Sequence, residues 1–211
     1  MKTKVEHIAF PTRQARSEYV ARRFGEYFRG SLLDVGCFEA PLRKMLADAK
    51  YTGVDIAGAP DIELNLEGCQ RLPFDDGSHD TVICIDVLEH LDNLHLIFDE
   101  LVRVARKNII VSLPNSWRDA RRPIERGGGD FLHYGLPEDA PVDRHKWFFN
   151  FTQARSFLQA RASSLNLEVV ELFGTEKPKN GLIRALRMLL YPGDKYLNRY
   201  VQTVWAVFAK G

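Results

Sequence analysis

The chain has 211 residues, of which 45% are hydrophobic and 27% charged, as expected of one globular domain spanning 1–211. A formal net charge of +1 argues against a nucleic-acid partner, and no apolar stretch is long enough for an integral membrane segment. The three cysteines show no CxxC spacing, which argues against disulfides and a zinc site. We therefore expect a cytoplasmic protein without a metal.

Apolar periodicity in the first third predicts an N-terminal helical segment within 1–30, followed by strands that alternate with one helix. The N-terminal helix covers 12–28, the strands cover 31–36, 51–55 and 62–66, and the helix between the first two strands covers 39–47. About six residues separate the second strand from the third, too few for a full crossover helix. This stretch is expected to be an abbreviated crossover.

The remainder predicts four more strands and three helices. The strands cover 81–86, 108–113, 167–173 and 202–209, and the helices cover 94–105, 152–165 and 182–190. Thr152 is the expected N-cap of its helix, and the amphipathic helix 182–190 is expected to pack on the edge strands rather than on a membrane. Residues 114–150 show no clean period and are expected to form an inserted substrate or lid loop. The alternation predicts an α/β, Rossmann-like doubly wound sheet with an antiparallel addition at one edge.

The motif Leu-Leu-Asp-Val-Gly-Cys at 32–37 occupies the first strand-to-helix turn, where ligands of open α/β sheets bind. Gly36 allows a ligand to approach the backbone closely. Asp34 suits a cationic ligand and would repel a pyrophosphate, and GxGxxG spacing is absent, so a nicotinamide oxidoreductase is disfavoured. The alternative is a structural turn with a capping Asp.

Asp55 ends the next strand and lies 21 residues after Asp34 (55 − 34). This is about the spacing at which an acid meets ribose hydroxyls, roughly 20 residues, in such folds. A carboxylate can accept two charge-assisted hydrogen bonds from a vicinal diol. Alone, the residue would be taken for an ordinary turn residue.

Further motifs complete a family pattern: Leu-Pro-Phe-Asp-Asp at 72–76 and Ile-Asp-Val-Leu-Glu-His-Leu at 85–91. With the motifs above, they resemble the class I methyltransferases that use S-adenosylmethionine (SAM), in particular their type 11 subgroup. The resemblance covers 31–113 well and 145–173 loosely. It implies a strand order of 3-2-1-4-5-7-6 with strand 7 antiparallel.

The resemblance also assigns residues to the cofactor and its product, S-adenosyl-L-homocysteine (SAH). Asp34 and Gly36 would line the methionine end, Asp55 would hold the ribose, and Asn65-Leu66 would lie near the adenine. The full expected set is Asp34, Gly36, Cys37, Asp55, Ile56, Asn65, Leu66, Ile85 and Asp86. The chain departs from the family where Phe38 and Ala40 replace two glycines, so the Phe38 side chain must turn away from the ligand or fill part of its pocket.

The candidate catalytic residues are His90 and His145, with His133 and Asp143 as further candidates for a general base. A surface role for His90 and a core role for His145 are the alternatives. In 117–130, arginines precede a triple glycine, so this segment is either a lid over an anionic substrate or a solvated loop.

The sequence predicts a methyltransferase that acts on an O or N atom of a small-molecule or glycan-type metabolite. The alternative is a catalytically weak protein that serves as the partner of a biosynthetic enzyme. Residues 112–117 and 134–137 favour this alternative, because with His145 they are similar to the MetW-like branch.

Overall fold

The computed structural model describes residues 3–129, 133–141 and 143–211. Its strands are β1 (Lys4–His7), β2 (Ser31–Val35), β3 (Lys50–Asp55), β4 (Ile62–Glu63), β5 (His79–Ile85), β6 (Ala105–Pro114), β7 (Leu167–Glu176) and β8 (Thr203–Lys210). Its helices are α1 (Arg13–Phe24), α2 (Pro41–Met45), α3 (Leu94–Val104), α4 (Ser116–Arg126), α5 (Phe151–Ser164), α6 (Gly181–Leu190) and α7 (Asp194–Tyr200).

The strands form one sheet in the order β1-β7-β8-β6-β5-β2-β3-β4. Strand β8 runs antiparallel to both β6 and β7, and every other pair is parallel. From β7 to β4, this is the predicted order of seven strands read backwards, so the Rossmann-like prediction is confirmed. Strand β1 is an addition that was not expected, because four residues of which two are charged carry no apolar pattern.

Both faces of the sheet are covered, which explains the uninterrupted apolar runs of the central strands. Helices α3 and α5 pack on one face, around buried residues such as Phe98 and Leu158. Helix α1 packs on the other face, where Phe24 lies against Trp205 and Phe173. The packed helices on both faces hold the carboxyl ends of the parallel strands together at one edge of the sheet.

Several predicted elements differ from the structure near their ends. The third strand contains only two residues, and the helix predicted over 39–47 shrinks to Pro41–Met45, because Ala40 adopts a left-handed conformation just before it. Helix α7 was not predicted. No helix runs between β3 and β4, which confirms the abbreviated crossover.

The segment 114–150 is not simply a loop, because residues 116–126 form helix α4. The side chain of Asn115 caps this helix, and Pro123 lies inside it. Arg121 pairs with Glu125 one turn later at 2.7 Å, and Arg118 pairs with Asp119. The three glycines at 127–129 are the expected hinge of the lid; Asp130, the last residue of that segment, lies outside the described residues.

Helix α6 does not pack on the edge strands, so that prediction is wrong. None of its residues is buried, and Leu182 and Leu189 are 82% and 79% exposed. Its amphipathic pattern therefore shows the periodicity of a helix without the burial that usually accompanies it. Among the described residues, no helix combines the length and apolarity needed to cross a membrane.

The N-cap of α5 is Asn150 rather than Thr152. Its side chain accepts a hydrogen bond from the Gln153 N–H at 2.9 Å, and the Gln153 side chain accepts one from the Asn150 N–H at 3.0 Å. This reciprocal pair is a capping box. Thr152 instead donates its hydroxyl to the Asn150 side chain.

Replacing Asn150 by Ala should lower the free energy of unfolding by about 1–2 kcal/mol, because it removes the cap of a helix that packs on the sheet. The control is Asn180→Ala, which removes the cap of the exposed helix α6 and should change the global value by less than about 0.5 kcal/mol. Urea denaturation followed by circular dichroism measures both. Equal losses in the two variants would contradict the assignment.

Candidate functional site

A cavity of about 480 Å³ opens at the carboxyl ends of β2, β3 and β5. The structure brings together at its wall every residue that the sequence analysis assigned to the cofactor. They are Asp34, Gly36, Cys37, Asp55, Ile56, Asn65, Leu66, Ile85 and Asp86. His90 also lines the cavity, whereas His145 lies just beyond it.

The turn after β2 forms part of the cavity wall. Gly36 has a φ of +85°, and a Cβ atom there would lie 2.2 Å from Val87 Cγ2. Phe38 and Ala40 both have a φ of +49°, so they adopt the left-handed conformation that glycine adopts most easily. For a residue with a side chain this costs about 1–2 kcal/mol. The turn therefore has the backbone conformation of a glycine-rich loop, although Phe38 and Ala40 stand where the family has glycines.

The side chain of Phe38 is half-buried and packs against helix α1. The Arg13 guanidinium lies 4.5 Å from the centre of its ring. Arg13, Arg16 and Ser17 of α1 also line the cavity. The sequence analysis assigned no role to them, although an arginine-rich helix before the first central strand was a visible signal.

The carboxylate of Asp55 joins the end of β3 to this turn. Its Oδ2 atom accepts the Phe38 N–H at 2.7 Å, and Oδ1 accepts the N–H groups of Ile56 at 2.7 Å and Ala57 at 3.2 Å. A carboxylate has about four acceptor sites. One further hydrogen bond therefore remains open toward the cavity.

Asp34 is the most deeply buried acid of the turn, with only 5% of its surface exposed. Burial, reinforced by the nearby charge of Asp55, raises its pKa to about 7, against the opposing effect of Tyr51, whose hydroxyl donates to Asp34 Oδ2 at 2.7 Å. The site thus holds a carboxyl that changes charge near neutral pH.

Asp86 anchors the opposite wall, just after β5. It has a φ of +51° and forms an ion pair with Arg16 of α1. The Ser112 hydroxyl donates to its carboxylate, and its own N–H donates to Ser112 Oγ at 3.0 Å. Helix α1 is therefore tied electrostatically to the carboxyl end of β5.

Asn65 and Leu66 form the floor near β4. The Asn65 side chain accepts the Glu67 N–H at 3.0 Å and begins a short 3₁₀ turn over 66–68. Leu66 is buried. Glu67 in turn accepts a hydrogen bond from Lys146 at 2.6 Å, which connects this floor to the segment before α5.

Beside the cavity lies a group of residues that we call the histidine cluster: Glu89, His90, His133, Asp143 and His145. The rings of His90 and His145 lie 4.5 Å apart, and those of His133 and His145 stack at 4.2 Å. Asp143 lies 3.0 Å from His90 Nδ1 and 3.7 Å from His133 Nδ1. Residues from two distant segments thus meet at one place.

The imidazoles of His90 and His145 are held in their neutral form. Burial lowers the pKa of His90, and burial together with the neighbouring His90 and His133 rings lowers the pKa of His145 to about 3. Neutral imidazole can accept a proton or bind a cation. The cluster therefore offers basic nitrogen atoms at neutral pH.

Glu89 is the buried member of the cluster, only 1% exposed. Burial, with a smaller contribution from the Asp86 carboxylate, raises its pKa well above the usual range. Its Oε2 atom is buried and has no hydrogen-bond partner among the described residues. The sequence analysis listed Glu89 only as part of a family motif and gave it no chemical role.

A second, largely apolar cavity of about 550 Å³ lies between α4 and α7, with Trp117, Phe148 and Tyr191 in its wall. Phe148 packs edge-on against Tyr134 at 4.9 Å, and the Tyr134 hydroxyl lies 2.7 Å from His145 Nδ1. Aromatic side chains thus continue from the histidine cluster to this cavity.

The sequence profile of a family described as a methyltransferase domain matches residues 33–112. This segment contains β2 through most of β6, including the whole turn and the Asp86–His90 motif. No curated protein matches the chain, so the MetW-like resemblance stays a prediction.

Solved structures support the fold. The methyltransferase domain of the bacterial protein CtHen1-C is 19% identical, with a TM-score of 0.61 over 94% of this chain and 98% of that one. A SAM-dependent methyltransferase from Archaeoglobus fulgidus is 16% identical, with a TM-score of 0.62 over 95% and 96%.

A third structure, the magnesium protoporphyrin IX methyltransferase of Synechocystis with bound SAH, is 15% identical, with a TM-score of 0.57 over 94% of this chain and 83% of that one. These likenesses concern the fold, while the sequence profile identifies the domain. Residues 33–112 match the methyltransferase domain expected from the resemblance to the type 11 class I SAM-dependent methyltransferases, and the chain as a whole shares the fold of SAM-dependent methyltransferases.

Proposed function

We propose that the chain transfers a methyl group from SAM to an oxygen or nitrogen atom of a small-molecule or glycan-type metabolite bound at the histidine cluster. One observation carries the proposal: His90 belongs both to the wall of the cofactor cavity and to the cluster. A group bound beside the cluster would therefore face the cofactor.

The cavity fits the cofactor in size and charge. Its volume of about 480 Å³ falls within the range of small-molecule sites, about 300–1,000 Å³. The ionised form of Asp34 would pair with the cationic methionine end, and the backbone of Gly36 would line the same end. Asp55 would accept a ribose hydroxyl, and Asn65 and Leu66 would lie beside the adenine.

The remaining assigned residues would close the cavity around the cofactor. Ile56 and Cys37 offer apolar surface beside Asp55, and Ile85 and Asp86 form the opposite wall. Arg13, which is exposed above Phe38, is suited to the carboxylate of the methionine end. Phe38 lies in the cavity wall, and Arg13 stacks on its ring, so the cavity stays open beside it.

When bound, SAM supplies a methyl group activated by the adjacent sulfonium. The protein must then position the acceptor and remove its proton. His90, in the wall of the cavity, could take a proton from a hydroxyl or amine within hydrogen-bond reach. His145, whose pKa is about 3, is a weaker base and would serve mainly to orient the acceptor by a hydrogen bond. Asp143, beside His90, would stabilise the resulting imidazolium.

The aromatic cavity beyond Tyr134 suits the rest of the acceptor. Planar walls from Trp117, Phe148 and Tyr191 suit an aromatic ring or the apolar face of a sugar. Arg121 and Asn198 in the same wall would fix polar substituents. These features support a small-molecule or glycan-type acceptor.

A binding role toward a biosynthetic enzyme is the second candidate, favoured by the exposed apolar face of α6. Such a role would leave the cofactor site able to bind SAM or SAH. Undiminished cofactor binding, combined with no turnover across a broad acceptor screen, would favour it.

Asp55→Ala should weaken SAM and SAH binding by about tenfold to a hundredfold, because a hydrogen bond to a charged group contributes about 1.5–3 kcal/mol. Isothermal titration calorimetry measures the dissociation constants, with NAD as the negative ligand. Asp61→Ala is the matched control, since Asp61 accepts the Gly53 N–H on the same strand but does not line the cavity. Unchanged affinity in a folded Asp55→Ala protein would refute the ribose assignment.

Binding of SAH should strengthen about tenfold between pH 6 and pH 8. The pKa of Asp34 is about 7 in the folded protein, so its carboxyl is mostly neutral at pH 6 and mostly ionised at pH 8. Only the ionised form attracts a cationic ligand. Calorimetric titration at several pH values measures the slope, and Asp34→Asn should abolish it. A slope that persists in Asp34→Asn would show that another group titrates.

A further inference from the structure

Two histidines of the cluster, His90 and His145, each have an oxygen atom within hydrogen-bond distance of Nδ1. His90 Nδ1 lies 3.2 Å from the Arg144 carbonyl oxygen, which can only accept, so Nδ1 carries the proton and Nε2 the lone pair. The Tyr134 hydroxyl lies 2.7 Å from His145 Nδ1; because the Ser116 hydroxyl and, at 3.2 Å, the Trp147 carbonyl can both take the Tyr134 proton, the tyrosine oxygen can accept the proton of His145 Nδ1. Both rings are then left with a free Nε2.

In histidines that bind metal ions, an oxygen that accepts the proton of the other ring nitrogen fixes the tautomer and the ring orientation. In this chain, the free Nε2 atom of His90 faces Glu89, with Oε1 at 3.9 Å. The second carboxylate oxygen of Glu89 is buried and unpartnered among the described residues. An isolated buried carboxylate is costly, and a cation at this point would neutralise it.

The donor atoms of Glu89, His90 and His145 all lie within 4.8 Å of one another. Around a first-row divalent cation with bonds of about 2.0–2.2 Å, ligand atoms lie about 3–3.5 Å apart. Small side-chain rotations would close the remaining difference. Two imidazoles and one carboxylate are a donor set that suits such a cation and leaves coordination positions open.

We propose that Glu89, His90 and His145 bind one divalent first-row cation at the mouth of the cofactor cavity. This departs from the sequence analysis, which expected no metal because it considered only the cysteines. Asp143 and His133, which form an overlapping group with His145, lie at the outer edge of the site. Metal binding itself is independent of the proposed function.

The role of the cation does rest on the proposed function. Because His90 lines the cofactor cavity, an open coordination position would face the acceptor. A hydroxyl bound there is acidified by the cation, and its proton passes to the exposed carboxylate of Asp143 and on to solvent. In the metal-loaded protein, His90 and His145 then act as ligands rather than as proton acceptors. The substrate class narrows to acceptors with a hydroxyl that can bind a metal.

The test is a titration of the full chain, first dialysed against a chelator, with Co²⁺ and Mn²⁺. Calorimetry gives the stoichiometry and affinity, and the visible spectrum of Co²⁺ reports nitrogen ligation. We expect one equivalent to bind, and we expect Glu89→Gln and His145→Gln to weaken binding at least tenfold. His95→Gln, an exposed histidine outside the cluster, should bind like the unaltered chain.

Circular dichroism and SAH titration of the same variants separate metal loss from misfolding, since neither Glu89 nor His145 lines the cofactor cavity. No bound cation in the unaltered chain, or equal binding in both cluster variants and His95→Gln, would overturn the inference. Methyl transfer at full rate without any cation would remove the proposed catalytic role. A bound cation without methylation of any hydroxyl acceptor would remove the narrowed substrate class. A bound cation without methylation of any oxygen or nitrogen acceptor would overturn the proposed function and leave the metal site standing.

Discussion

The hydrogen bond from the Phe38 N–H to the Asp55 carboxylate is the contact on which the site depends most. It ties the end of β3 to the turn that follows β2. In this turn Phe38 and Ala40, neither of which is glycine, adopt left-handed conformations. Such conformations persist only where the surroundings over-determine them. Asp55 supplies that determination, and the same carboxylate is our proposed ribose acceptor. Structural support and ligand recognition thus share one group.

The rest of the cavity follows from how this turn is surrounded. Phe38 is covered by Arg13, and Arg16 of the same helix pairs with Asp86 on the opposite wall. Helix α1 therefore bridges the two sides of the cofactor cavity while its apolar face packs against Trp205. Helix α1 therefore contributes both to the core and to two walls of the cavity.

The histidine cluster illustrates a different kind of dependence. Its members come from the segment after β5 and from the region before α5, and they meet because the Lys146 N–H donates to the Glu89 carbonyl at 2.8 Å. Lys146 also pairs with Glu67 and Asp92 at 2.6 and 2.7 Å. These contacts hold His145 beside His90. The buried carboxylate of Glu89 then becomes the group that most needs a partner.

From the sequence, apolar runs and turns predicted an α/β sheet, and the resemblance to a known family implied the strand order and the residues expected to hold the cofactor. Alternating apolar runs and short turns are local patterns, and parallel strands necessarily bring Asp34, Asp55 and Asp86 to one edge of the sheet. Only the tertiary structure decided that Phe38 lies in the cavity wall against Arg13, that helix α1 lines the same cavity and that α6 stays exposed. It alone also assembled Glu89, His90 and His145. These features depend on contacts between residues far apart in the chain, and such contacts leave no periodic trace in the sequence.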